Sequence, residues 1–134
     1  MVYKQVYQKV PEYIEAIGKV VVNSAFKVHK EVGPGLLERH YQKLLIYELK
    51  KRGLNVKKEV ELPIYYDNVL FNDYYKVDLM VEDKIIIELK TVEQLLPVHF
   101  SQVRTYLKLS NYRLGYLINF DTALAKDGIN RVVL

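Results

Sequence analysis

The chain has no cysteine and no tryptophan, and only 6 glycines and 4 prolines among its 134 residues. Without cysteine there is no disulfide framework, no thiolate zinc site and no Cys nucleophile. A reducing, cytoplasmic setting is the matching expectation. No stretch approaches the roughly 18 uninterrupted apolar residues of a membrane span. The opening MVYKQVYQKVPEYIEAIGK carries charges throughout, so no secretory signal is expected there. Repeats, low-complexity tracts and internal linkers are also missing, which excludes solenoid and fibrous architectures.

The composition that remains is that of a soluble globular domain, with 50% hydrophobic and 27% charged residues. At this length, residues 1–134 form one domain with a sizeable core, and residues 1–10 read as a flexible or loosely packed tail. The net charge of +4 and pI near 9.1 suit a polyanionic partner but are modest. The densest basic clusters, Lys50-Lys51-Arg52 and Lys57-Lys58, read first as a solvated helix end and strand edge. Twelve tyrosines are available to stack on bases, although packing at the rim of a core accounts for such residues equally well.

Apolar spacing then sets the elements. From Pro11, Ile14, Ile17, Val20, Val21, Ala25, Val28 and Val32 recur with helical period, and Gly33-Pro34-Gly35 stops that helix. LLERHYQKLLIYELKKR predicts a second helix with Leu37, Tyr41, Leu44, Leu45 and Leu49 on its stripe and Gly53 as its cap. The short joint predicts that the two helices pack together. From Val56 the period becomes two, with Val60, Leu62 and Ile64 on one face; Pro63 predicts a sheet edge or a bulge. Asp67-Asn68 is a turn signal, and strands follow over 69–81 and 84–90 around Glu82-Asp83. Pro97 opens a third helix through Ser110, RLGYLINF reads as a buried strand, and INRVVL as a last short one. The order is αα-βββ-α-β-β.

The stretch KVDLMVEDKIIIELK holds three charges that such apolar strands do not need. Glu88 and Lys90 share a face with Ile86, because strand side chains alternate. A two-residue loop at 82 and 83 would pair Asp78 with Ile87, on the wrong face. A three-residue loop over 82–84, or five over 81–85, pairs Asp78 with Glu88. Facing carboxylates repel unless a cation lies between them, so a functional reading demands an odd-length turn or a bulge. Two acidic oxygen ligands suit Mg²⁺ or Mn²⁺, and a nearby lysine serves phosphate chemistry. The competing reading makes Asp78, Glu88 and Lys90 strand-end charges with an internal ion pair.

Two further patterns stand beside this one. Glu38 and Tyr41 lie at i, i+3 near a helix start, where an acid also suits the helix dipole. His99, Gln102 and Tyr106 fall on one face of the third helix. Taken singly, His99 reads as a local helix-start residue, and Tyr41 and Tyr106 as core-rim aromatics.

Together these residues resemble the GxxExxY family of the PD-(D/E)xK nuclease-like superfamily. Gly35-Leu36-Leu37-Glu38-Arg39-His40-Tyr41 carries the name motif, and Val77-Asp78 followed by Glu88-Leu89-Lys90 carries the nuclease signature. Gln102 and Tyr106 are similar to the QxxxY motif of recombination-type exonucleases. The likeness runs from about residue 12 to residue 134, with one departure, Val77 in place of proline. It implies a restriction-endonuclease-like α/β fold: an α-βββ-α-β core, a mixed central sheet flanked by helices, and an extra N-terminal helix.

The resemblance also implies a metal-dependent nuclease. Asp78, Glu88, the Leu89 carbonyl and Glu38 would hold Mg²⁺ or Mn²⁺. Lys90 would be the catalytic lysine, Gln102 and Tyr106 would orient the site or the substrate, and His99 would be an outer ligand at most. The implied partner is nucleic acid, DNA first, with a homodimer or partner protein completing the groove and no membrane involved. Two other readings remain: a nuclease-fold module that binds nucleic acid or protein without cutting, and a metal enzyme acting on a small phosphorylated molecule.

Overall fold

Leu79, Ile85, Ile87, Leu89 and Leu114 are completely buried, and these strand residues form the middle of a mixed sheet. A computed structural model describes residues 9–134. The elements are α1 (Glu12–Val32), α2 (Glu38–Lys51), β1 (Val56–Tyr66), β2 (Val69–Val81), β3 (Ile85–Lys90), α3 (Pro97–Ser110), β4 (Leu114–Asn119), the short α4 (Ala125–Gly128) and β5 (Ile129–Val133). The strands lie in sequence order, with β3 and β4 parallel and every other pair antiparallel. The parallel pair needs a crossover, and α3 supplies it. The expected restriction-endonuclease-like α/β fold, with an additional N-terminal helix and a mixed sheet between helices, is the one observed.

Each sheet face has its own core. One packs Val21, Ala25 and Val28 of α1 and Tyr41, Leu45 and Leu49 of α2 against Leu79, Ile87 and Ile118. The other packs Val103, Tyr106 and Leu107 of α3 against Val77, Met80, Ile86 and Leu117. At about 25 cal/mol per Å² of apolar surface removed from water, these two layers supply the main drive to fold. Val10 is also buried, so the chain is packed one residue before Pro11; the rest of the expected tail, residues 1–8, lies outside the described residues. Among the described residues no helix is long and apolar enough to cross a membrane.

Two helix ends differ in detail from the sequence pattern. Leu37 was expected on the stripe of α2, but it is the extended residue before the helix and is half exposed. Gly35 holds φ at 108°, a conformation that keeps the chain out of helix until Glu38. At the other end Arg52 is the cap residue, and Gly53, at φ 86°, follows it. The Gly53 and Leu54 N–H groups donate to the Lys50 and Leu49 carbonyls, closing the helix. Lys50, Lys51, Lys57 and Lys58 are solvated, as the charge pattern suggested.

β4 ends at Asn119, a buried amide that both accepts from the Val92 N–H at 3.1 Å and donates to the Val92 carbonyl at 2.8 Å. The chain leaving β3 after Lys90 is therefore tied to β4. Gly128 packs directly against this joint: a Cβ there would sit 1.9 Å from the Asn119 carbonyl oxygen. Both sides of that clash are backbone. Gly128→Ala should destabilise the domain by about 1–3 kcal/mol, the range of an overpacked site. Urea unfolding of the two proteins measures it; equal midpoints would contradict the packing described.

Candidate active site

The hairpin parity is decided by its turn. Val81 pairs with Ile85, Met80 with Ile86 and Leu79 with Ile87, so residues 82–84 form a three-residue turn. Glu82 and Asp83 take left-handed conformations, φ 52° and 51°, which charged residues adopt at modest cost in turns. The Asn55 N–H donates to the Glu82 carboxylate at 2.7 Å, and Lys57 pairs with Asp83 at 2.8 Å. The odd turn directs Asp78 toward Glu88.

The ladder does not continue regularly to Asp78. Alternation would keep Val77, Leu79 and Val81 on one face, yet Leu79 and Val81 belong to the α1/α2 core and Val77 to the α3 core. On β1, Val56 and Val60 are divided in the same way. The reversal falls at Asp78 and at Glu59, which the register sets opposite it and which has φ 51°. Two groups repair the interrupted ladder. The Asp78 Oδ2 accepts the Leu89 N–H at 2.8 Å, and the Asp78 carbonyl accepts a bond from Gln42 Nε2 at 3.1 Å. Gln42 is one helical turn beyond Glu38, so this bond also seats the start of α2 against the site.

Glu88 is 4% exposed, and its Oε1 is buried without a hydrogen-bond partner. Burial, and then the hydrogen bond and negative charge of Asp78, push the Glu88 carboxyl up to about 9. Lys90 opposes that shift: its Nζ lies 3.8 Å from Glu88 Oε2. Glu38 reaches the same field from α2. Its carboxyl is raised above the usual range, by desolvation first and Asp78 second, and Lys90 lowers it. Although its side chain is largely exposed, enough of the protein surrounds the carboxyl to produce this effect. Asp78, Glu88, Lys90 and Glu38 thus share one electrostatic neighbourhood.

α3 contributes the next residues. Tyr106 is buried, and its hydroxyl is raised well above the tyrosine range by desolvation, then by Glu88 and Asp78; a hydrogen bond with Gln102 opposes the rise. Its ring lies 5.7 Å from that of Tyr75. Tyr75, His99 and Gln102 line a pocket of about 440 Å³. His99 Nδ1 accepts the Leu96 N–H at 2.9 Å, so His99 secures the start of α3. In the neutral ring that bond leaves the proton on Nε2.

Tyr41 is completely buried and stacked on Phe120, with centroids 4.4 Å apart. Its hydroxyl donates to the Gly33 carbonyl at 2.5 Å and accepts the Leu36 N–H at 3.2 Å. It therefore holds the loop that delivers Glu38 and does not face the carboxylates itself. Sequence reasoning missed Gln42, Asn119 and Tyr75; only Gln42 left a signal, four residues after Glu38 on the same helical face.

A family model for the PD-(D/E)XK nuclease superfamily matches residues 15–132. The chain belongs to that superfamily. The match takes in residues of both helical layers and of all five strands. No curated protein and no solved structure matches the chain.

Superfamily nucleases generally use divalent metals, and the fit can be judged from the side chains. A buried, unpartnered carboxylate oxygen beside a second carboxylate is a donor set for a hard cation. No preformed group of three or more His, Asp or Glu ligands exists among the described residues. The fit is that of a two-carboxylate site whose remaining positions are open.

Burial raises the folded-state pKa of Glu88 above its ordinary 4.5. The protonated carboxyl therefore favours the fold fully below pH 4.5, and that contribution is lost as pH rises through about 9. Glu88→Gln, neutral at every pH, should flatten the decline of metal-free stability between pH 5 and 9. At pH 9 it should be more stable than the parent by about 1 kcal/mol or more. Thermal unfolding in chelator across that range tests this; parallel curves would contradict the buried acid.

Proposed function

We propose that the protein is a Mg²⁺- or Mn²⁺-dependent nuclease hydrolysing phosphodiester bonds of DNA, a GxxExxY-type member of its superfamily. One observation carries the reading: buried Glu88 beside half-buried Asp78, with an unpartnered Glu88 oxygen and Lys90 close by. Asp78, Glu88 and the Leu89 carbonyl would hold the ion, and Glu38 would complete the set from α2, directly or through water. Once bound, the ion lowers the pKa of a coordinated water and polarises the phosphate.

The chain's own groups account for the rest. Glu88 must give up its proton to become a ligand, and the neighbouring Lys90 ammonium favours that ionised form. Lys90 also sets positive charge where the pentacovalent phosphorus is most negative, worth typically 10²- to 10³-fold for such a donor. Tyr106, held neutral by its surroundings, stays a hydrogen-bond donor to substrate oxygens, with Gln102 fixing its direction. Water attacks phosphorus, the bond to the leaving oxygen breaks, and that oxygen takes a proton.

A second reading has its own support. The lack of a preformed three-ligand group among the described residues suits a nuclease-fold module that binds nucleic acid or a protein without cutting. Labelled DNA with Mn²⁺ separates the two. Lys90→Ala should retain Mn²⁺ binding and lose about 10²-fold or more in cleavage, while Asp78→Ala loses both. A Lys90→Ala protein as fast as the parent would contradict the mechanism, and no cleavage by the parent would favour the silent module.

A further inference from the structure

The distal half of the β1–β2 hairpin has no cover. β3 pairs β2 only from Leu79 to Val81, so the ribbon beyond Val77 extends past the sheet with β1 as its one strand neighbour. Residues 69–76 are all exposed. They are not polar: Tyr65, Tyr66, Val69, Leu70, Phe71 and Tyr74 range from 44% to 74% exposed. With Tyr75 they offer roughly 800 Å² of large apolar side chain to solvent, taking aromatic residues at 150–250 Å² each. Spread over both faces of one ribbon, this is more large apolar surface than a monomer ordinarily leaves on a single segment.

Three features identify the occupant. Tyr65 pairs with Leu70, Tyr66 with Val69, Pro63 with Tyr74 and Leu62 with Tyr75. Neighbouring pairs point to opposite faces, so both faces of the ribbon are apolar. The outer edge of β2 also lacks protection: from Val69 to Tyr75 it carries no Lys and no Pro, with Asp73 as its one charge. Exposed edges are ordinarily blunted by such residues because they template another strand. Finally, between residues 61 and 76 Glu61, Asp67 and Asp73 outnumber Lys76, a balance that repels phosphates.

We propose that this arm is a homodimerisation element. The β2 edges of two copies pair antiparallel across a two-fold axis, joining two ribbons into one four-stranded sheet in which the unpaired backbone groups of each edge are satisfied and the apolar side chains of facing strands pack beside one another. Nucleic acid is the disfavoured occupant because of the acidic balance, although Tyr75 touches Tyr106 and brings the arm to the border of the catalytic pocket. This inference does not depend on catalysis.

Sedimentation equilibrium of the parent, without metal or DNA, should give about twice the 15.8 kDa chain mass. Leu70→Glu with Phe71→Lys should sediment as a monomer with an unchanged circular dichroism spectrum, and its thermal midpoint should no longer rise with protein concentration as the parent's does. Amide exchange over residues 69–75 supplies a second readout: protection in the concentrated parent should disappear on dilution. A monomeric parent at 100-fold dilution steps up to solubility, or a variant that stays dimeric, would overturn the proposal. If the parent is monomeric and the same variant loses DNA binding, the arm is a nucleic-acid surface and the dimer is wrong.

Discussion

The buried Glu88 carboxyl lies beside Asp78, whose hydrogen bond and negative charge add to desolvation in opposing its ionisation. Much of the surrounding structure follows from that contact. The three-residue turn brings the two acids to one face. The reversal at Glu59 and Asp78 breaks the β ladder where a regular one would have occupied the Leu89 N–H with backbone; Asp78 Oδ2 accepts it instead. The Asp78 carbonyl, released from the ladder, is taken by Gln42. The ladder is thus interrupted at one residue pair, and the Leu89 N–H and the Asp78 carbonyl each find a specific partner outside it.

The two helical layers meet the pair in different ways. α2 brings charge, in Glu38, and its position is fixed by groups that do no chemistry: Tyr41 clamps the Gly33–Leu36 loop and stacks on Phe120, which follows β4. The name-motif tyrosine and glutamate are therefore linked as support and supported group. α3 brings Tyr106 and Gln102, placed by the crossover that the parallel β3–β4 pair demands. Asn119, opposite Lys90 in that pair, holds the exit of β3 and so the direction of the lysine.

The sequence made some of this legible. Helical and strand periods reproduce the helices and strands because each element has one clearly apolar face against a core, and Pro63 marks both the sheet edge and a register shift. Parity reduced the site to an odd or an even turn, but could not choose between them. That choice rests on left-handed Glu82 and Asp83, and at this turn no Gly or Asn signals the conformation. The reversal at Glu59 was hidden for the same reason, since a glutamate in a strand gives no sign of positive φ. α4 was missed because four residues are too few for a periodic pattern. Gln42 and Asn119 act through backbone groups distant in sequence, which spacing does not reveal.

The central claim is that the buried Glu88 carboxyl, beside Asp78, carries a proton in the metal-free protein and exchanges it for a divalent ion. Proton release on Mn²⁺ binding measures this directly, by calorimetry at pH 7 in buffers of different ionisation enthalpy. Binding should release close to one proton per ion, because a group pushed up to about 9 is protonated at that pH and must be ionised to act as a ligand. Binding with no buffer-dependent heat would mean that Glu88 is already ionised, and the account of the site would be wrong.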